Sequence, residues 1–307
     1  MGFVRTIFRD IPPNTLGITH VHEHLVAHPP MWKIKEDPDL LIDDVNKGIE
    51  ELRNFYKSGG KTLVECTAID YGRDINALIK IAEQVPEVNL IVITGFNLGS
   101  YYPTWVYKKS VDELVDLMVT EVKKGIAGTR ARAGVIKIGT SYNYIMAVEE
   151  KTLRAGAKAH IETGAPIISH TSLGTMAHEQ IEILKDEGVD LGKVAFSHID
   201  HNLDFWYQKK IAETGAYLVY DCIGKIKYYP DEWRIKLIKR LIDAGFAENI
   251  LLSGDMARRS YFRAYGGGPG LGFIITKFIP RLKEEGFSQE LIDKIFIENP
   301  ARYLSFK

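Results

Sequence analysis

His22 and His24 stand one residue apart in His20-Val21-His22-Glu23-His24, after the apolar run Leu16–Val21. Alternate side chains of a strand share a face, so this spacing lets two imidazoles converge on one cation. Taken alone, such a pair also reads as two packed or solvated histidines. Three further residues shift the balance: His170 ends the run Pro166–His170, His198 ends Val194–His198, and Asp255 ends Ile250–Asp255. Imidazole and carboxylate together suit zinc or a similar divalent ion. Lys137 lies within Gly134–Ile138, flanked by Ile136 and Ile138. A lysine among apolar neighbours is costly when charged, and becomes neutral or modified. A neutral amine can add carbon dioxide to give an anionic carbamate, able to bridge two cations. The competing reading is an amine that reaches the rim or pairs with an acid. His20 has the parity of His22 and His24 but sits lower, which suits a core or supporting role.

The elements that must position these groups are short and regularly spaced. Beyond those named, apolar runs occur at Thr62–Cys66, Leu90–Thr94 and Ala216–Asp221. All are β-rich with little polar alternation, the pattern of strands buried on both faces. Helical patterns fall between them, near 41–57, 73–84, 110–124, 148–162, 175–187, 203–214 and 231–244. In the third, Val111, Leu114, Val115, Met118 and Val122 make one apolar face, and Ser110 with Glu113 forms a capping box. Strands alternating with helices predict a parallel sheet. Seven repeats separate His24 from Asp255 at about 33 residues each, close to the roughly 31 of a (β/α)8 barrel. The expectation is an α/β fold, a (β/α)8 TIM barrel, with an open doubly wound sheet as the alternative. The absence of G-x-G-x-x-G after the first strand disfavours a dinucleotide fold. Barrel enzymes place their sites at the C-terminal ends of the strands, where the four imidazoles and Asp255 fall. No Ser/Pro-rich linker or charge block divides the chain, so one domain spanning 1–307 is expected.

Composition excludes other classes. The 307 residues are 45% hydrophobic, enough to fold a core. Thirty-nine basic residues are cancelled by 40 acidic ones, which argues against nucleic acid as partner and leaves a small-molecule substrate. Two cysteines, Cys66 and Cys222, make no disulfide framework and fit a reducing, cytoplasmic setting. No apolar run approaches the roughly 18 residues of a membrane span.

The set His22, His24, Lys137, His170, His198 and Asp255 resembles the phosphotriesterase family of the amidohydrolase superfamily. The likeness runs from Thr15-Leu16-Gly17 through His170-Thr171-Ser172 to Glu298-Asn299-Pro300. It implies a barrel with two divalent metal ions, commonly zinc, and often a homodimer. His22, His24 and Asp255 would hold the more buried metal, and His170 and His198 the more exposed one. Lys137, N6-carboxylated by carbon dioxide, and a hydroxide would bridge them. The hydroxide would attack the substrate, with Asp255 as proton acceptor.

The family includes phosphotriesterases and lactonases. Acyl-homoserine lactonases of this family tend to carry a tyrosine where Thr94-Gly95-Phe96-Asn97 has Asn97, and an arginine where Cys222 follows Asp221. Both departures count against a long acyl chain. Basic residues stand after the last two strands instead: Lys225 and Lys227, then Arg258 and Arg259, with Tyr261. Loops there often bind phosphate in barrels. Lys225, Arg258 and Tyr261 are the candidate phosphate ligands, unless these bases are solvated or pair with Asp231 and Glu232. The segments Asp255–Tyr261 and Tyr228–Asp231 resemble the branch that hydrolyses phosphorylated sugar lactones, and a phosphotriesterase homology protein branch shares much of them. The expected substrate is a furanose lactone 5-phosphate. The alternatives are an unphosphorylated lactone or ester with phosphotriesterase side activity, and a non-catalytic metal-binding interaction protein. Tyr101, Tyr102 and Trp105 are candidates for the pocket wall, Cys66 for the barrel mouth, and His201 for a substrate contact.

Overall fold

A computed structural model of the chain describes residues 2–306. A short antiparallel hairpin, β1 (Val4–Arg5) and β2 (Asp10–Ile11), precedes eight parallel strands. These are β3 (Thr19–Glu23), β4 (Thr62–Glu65), β5 (Asn89–Gly95), β6 (Ala133–Thr140), β7 (Ile167–Thr171), β8 (Val194–Ser197), β9 (Tyr217–Tyr220) and β10 (Ile250–Leu252). Each pairs with its neighbours in chain order. The last returns to the first just beyond β10: Asp255 N donates to His22 O at 3.0 Å, and Ser253 Oγ donates to the same carbonyl at 2.7 Å. The architecture is the (β/α)8 barrel expected, and the open doubly wound sheet is set aside.

The main helices after the strands are α1 (Met31–Glu36), α2 (Val45–Lys57), α3 (Ile75–Gln84), α4 (Thr104–Lys108), α5 (Val111–Lys123), α6 (Ala147–Thr163), α7 (Ala177–Asp186), α8 (Phe205–Ala212) and α9 (Asp231–Asp243). α10 (Ile279–Glu284), α11 (Gln289–Asp293) and α12 (Asn299–Leu304) close the chain. At α5 the expected capping box forms: Glu113 N donates to Ser110 Oγ at 3.1 Å, and Ser110 N to Glu113 Oε2 at 2.9 Å. α1 falls in a stretch that has no periodic apolar face, and sequence reasoning did not anticipate it.

Period-two alternation divides the strands between two apolar clusters. Ile91, Ile93, Val135, Ile168, Ala195, Val219 and Leu251 join one, which Tyr303 and Leu304 of α12 help to complete. Leu90, Val92, Ile136, Ile138, Ile167, Leu218 and Ile250 join the larger cluster that the helices cover. Lys137 shares the parity of Val135, so alternation sends its amine into the barrel.

Strand β3 breaks this rule. Its ladder to β4 shifts register between His20 and Glu23. An irregularity of this kind changes the phase of the side chains, so residues two apart need not share a face. Val21 therefore joins the interior cluster. His20 lies with its ring 4.8 Å from Phe55 and its Nδ1 2.9 Å from Glu23 Oε1, away from His22 and His24. The expected shared parity of the three histidines is corrected, although His20's supporting role stands. The strand also starts at Thr19 instead of Leu16, because Gly17 takes a φ of 60° and turns the chain. Among the described residues, no helix is long and apolar enough to cross a membrane.

Close strand approach makes one glycine obligatory. Gly95 has a φ of 97°, and a Cβ there would lie 2.1 Å from the Lys137 carbonyl oxygen. Gly95→Ala is expected to destabilise the fold by about 2–3 kcal/mol in denaturant unfolding. A loss below about 0.5 kcal/mol would contradict this packing.

Candidate metal centre

The C-terminal ends of the strands enclose a cavity of about 520 Å³, and all six sequence-selected side chains line it. His22 comes from β3, with His24 one residue past it, Lys137 from β6 and His170 from β7. His198 and Asp255 lie just beyond β8 and β10, with φ of 61° and 41°. Left-handed backbone at non-glycine residues costs on the order of 1–3 kcal/mol each, and such strain is typical of functional sites. Each is held by hydrogen bonds. His198 N donates to both oxygens of Asp221, at 3.1 and 3.2 Å. Asp255 N donates to His22 O, and the Asp255 carbonyl accepts from Lys225 Nζ.

The side chains form two converging groups. The ligand atoms of His22, His24 and Asp255 lie within 4.8 Å of one another, with Asp255 Oδ1 3.2 Å from His24 Nε2 and 3.7 Å from His22 Nε2. In the second group, His170 Nδ1 lies 3.0 Å from His198 Nε2. Lys137 Nζ lies 3.4 Å from His22 Nε2.

Neighbouring side chains fix which nitrogen of each imidazole is bare, Asp221 and Thr67 from behind the cavity and Ser172 from its wall. His22 Nδ1 and His198 Nδ1 face Asp221 Oδ2 and Oδ1 at 2.8 and 2.9 Å, and a carboxylate only accepts. His24 Nδ1 faces Thr67 Oγ1 at 2.8 Å, whose proton is given to Glu65 at 2.5 Å. His170 Nε2 faces Ser172 Oγ at 3.1 Å, whose proton goes to Thr140 O at 2.8 Å. Each outer nitrogen must therefore carry the hydrogen, and four bare lone pairs point into the cavity. At 3.0 Å the inner nitrogens of His170 and His198 need either a proton on His198 or a cation between them. Among the described residues Lys137 forms no ion pair, and its amine reaches His22 Nε2. Four imidazole nitrogens, a carboxylate and an unpaired buried lysine fit a pair of divalent cations.

The electrostatics agree. Burial, then the charge of Lys137, pushes His22 down to about 3. Burial and the neighbouring His198 hold His170 well below the usual imidazole range. Burial would lower His198 too, but Asp221 outweighs it and raises the value. Burial opposes ionisation of Asp255, yet the charge of Lys225 holds its carboxyl well below the usual carboxylate range.

The phosphate candidates are placed less simply. Lys225 is buried with Nζ 2.9 Å from Asp255 Oδ2, so it serves the carboxylate directly. Arg258 pairs with Asp37 at 2.6 Å and Asp39 at 3.4 Å, and does not line the cavity. Tyr261 has a buried hydroxyl with no hydrogen-bond partner, and Lys225 and Lys227 sit 5.2 and 5.4 Å from its ring. Arg259 pairs with Asp43. These bases thus pair with acids around α1 and with Asp255, whereas Asp231 and Glu232 are taken by Arg234 and Lys236.

Of the other candidates, Tyr101, Cys66 and His201 line the cavity. Tyr102 bonds Thr152 and Trp105 packs on Phe96, so both support the loop. His201 Nε2 lies 2.8 Å from Cys222 Sγ. Sequence reasoning missed Lys33, which brings a charge to the cavity wall from α1, and the bridging role of Asp221. Position at the end of a strand was the available signal for Asp221.

The chain is similar to known proteins over nearly its whole length. The model of the phosphotriesterase family matches residues 2–304. The chain is 36% identical to a phospho-furanose lactonase of Mycoplasmopsis synoviae over 99% of its length and 92% of the relative's. The structure of a lactonase from Listeria monocytogenes superposes with a TM-score of 0.96 at 42% identity, covering 99% of both chains. The phosphotriesterase homology protein of Escherichia coli, solved with phosphate in its active site, superposes with a TM-score of 0.90 at 37% identity, covering 94% of this chain and 99% of that one.

Proposed function

The chain belongs to the phosphotriesterase family, hydrolases of the amidohydrolase superfamily, and from that premise we propose that it opens the ester of a phosphorylated furanose lactone. The observation that carries the hydrolytic reading is the placement of Asp255, with one oxygen against His24 in the ligand cluster and the other against Lys225. In this reading His22, His24 and Asp255 would hold one divalent cation and His170 and His198 the other, and Lys137, as its N6-carboxylate, would serve both. Bound there, zinc ions supply Lewis acidity toward an ester carbonyl and make water more acidic.

The chain's own groups do the rest. Asp255 accepts the proton that water loses as its oxygen bonds to the acyl carbon. When the ring C–O bond breaks, that proton passes to the departing alkoxide, and the product is an aldonate. Lys225 keeps Asp255 ionised and so ready to accept. Asp221, Thr67 and Ser172 hold the imidazoles in the tautomers that ligation needs. Tyr71 and Tyr101 wall the cavity beside Lys33.

The phosphate reading draws on the lactonase relative and on the phosphate bound in the Escherichia coli protein. Lys33, Lys225, Arg258 and Tyr261 are the groups that would meet it. The pairing of Arg258 with Asp37 and Asp39 favours a second reading, an unphosphorylated lactone with phosphotriester hydrolysis as a side activity. A panel of lactones with and without phosphate on zinc-loaded protein, followed by acid release, separates the two. Preference for phosphorylated lactones supports the first reading, and equal turnover supports the second. Arg258→Met is expected to raise KM for phosphorylated lactones while sparing the others, and equal effects on both would remove the anchor. Asp255→Asn is expected to lower kcat by at least about 100-fold with metal content retained. Near-normal turnover in the fully loaded variant would exclude Asp255 as proton acceptor.

A further inference from the structure

Asp221 lies at the end of β9, fully buried, between the two ligand groups. One carboxylate oxygen accepts from His22 Nδ1, in the group with His24 and Asp255, and the other from His198 Nδ1, in the group with His170. The two rings are 5.1 Å apart. We infer that Asp221 is a positioning residue that sets both halves of the metal centre at once, by fixing the tautomer of one imidazole in each.

A carboxylate offers acceptors on both oxygens and no proton, so both Nδ1 atoms must donate and both Nε2 atoms must stay bare. An asparagine of the same shape has one accepting oxygen and one donating nitrogen. Its amide would face one imidazole with N–H groups, forcing that ring to leave Nδ1 bare and carry its hydrogen on Nε2. A ring in that form cannot present Nε2 to a cation.

Asp221 is itself held from behind. Asp221 N and Cys222 N donate to Asp200 at 3.4 and 3.0 Å, and Asp200 accepts from Arg234 Nε at 2.6 Å. Arg234, fully buried on α9, also reaches Tyr229 O at 2.6 Å and Asp231 Oδ1 at 3.0 Å. The loop between β9 and α9, which carries Lys225, is thereby tied to the residue that orients His22 and His198. None of this depends on which substrate the cavity takes.

The test is imidazole nitrogen NMR on metal-free, 15N-histidine-labelled full-length protein at mildly alkaline pH, with His22→Gln and His198→Gln for assignment. In the parent protein both His22 and His198 are expected as Nδ1–H forms. In Asp221→Asn one of the two is expected as Nε2–H. Zinc affinity, read by native mass spectrometry against a chelator, should weaken on the order of 10- to 100-fold. Two Nδ1–H imidazoles in Asp221→Asn, or two zinc ions bound at parent affinity, would overturn the inference. If that variant does not fold, the parent spectrum decides alone: an Nε2–H form at either histidine overturns it.

Discussion

His170 Nδ1 and His198 Nε2 face each other across 3.0 Å, a spacing that needs either a proton on His198 or an added cation between the two nitrogens. Neighbouring side chains impose this arrangement, Ser172 from the cavity wall itself. Ser172 and Asp221 take the outer ring protons, and Thr67 and Asp221 do the same for His24 and His22. Buried polar groups are normally satisfied within the protein. Here the satisfaction is directed outward, and the inward side is left with four lone pairs, a carboxylate and a lysine. Positive charge from outside completes such an array, and the family's hydrolytic chemistry is built on that charge.

The barrel delivers these groups because parallel strands end at one face. Three of the six lie just past their strands, and two of these, His198 and Asp255, take left-handed backbone positions that the chain would otherwise avoid. The hydrogen bonds that hold them come from the site itself: Asp221 to His198 N, and the His22 carbonyl to Asp255 N. The second contact also helps close the barrel between β10 and β3, so one hydrogen bond serves both the fold and the site. Lys225 adds a further tie, because its ammonium neutralises Asp255 while its loop is fastened through Arg234.

Residues on regular elements were legible in the sequence. Alternation with Val135 sent Lys137 inward, and His170 and His198 could be placed by counting along apolar runs. The capping box at Ser110 marked the start of α5 to the residue. What escaped lies where regularity fails. The register shift in β3 turned His20 away from its neighbours, since parity assumes an unbroken ladder. Arg258 read as a free phosphate ligand because its partners, Asp37 and Asp39, are more than 200 residues away in the chain and meet it only after folding. Asp221 ended a strand like the ligands do, yet its bridging role needed the positions of two imidazoles from β3 and β8 together.

The central claim is that six side chains grip two cations with a carboxylated lysine between them. Anomalous diffraction from crystals grown with zinc and bicarbonate tests it most directly. Two peaks in the cup, one beside His22, His24 and Asp255 and one beside His170 and His198, with density extending from Lys137 Nζ toward both, are the result expected. An empty cup, a single peak, or a bare Nζ turned away from the metals would contradict it.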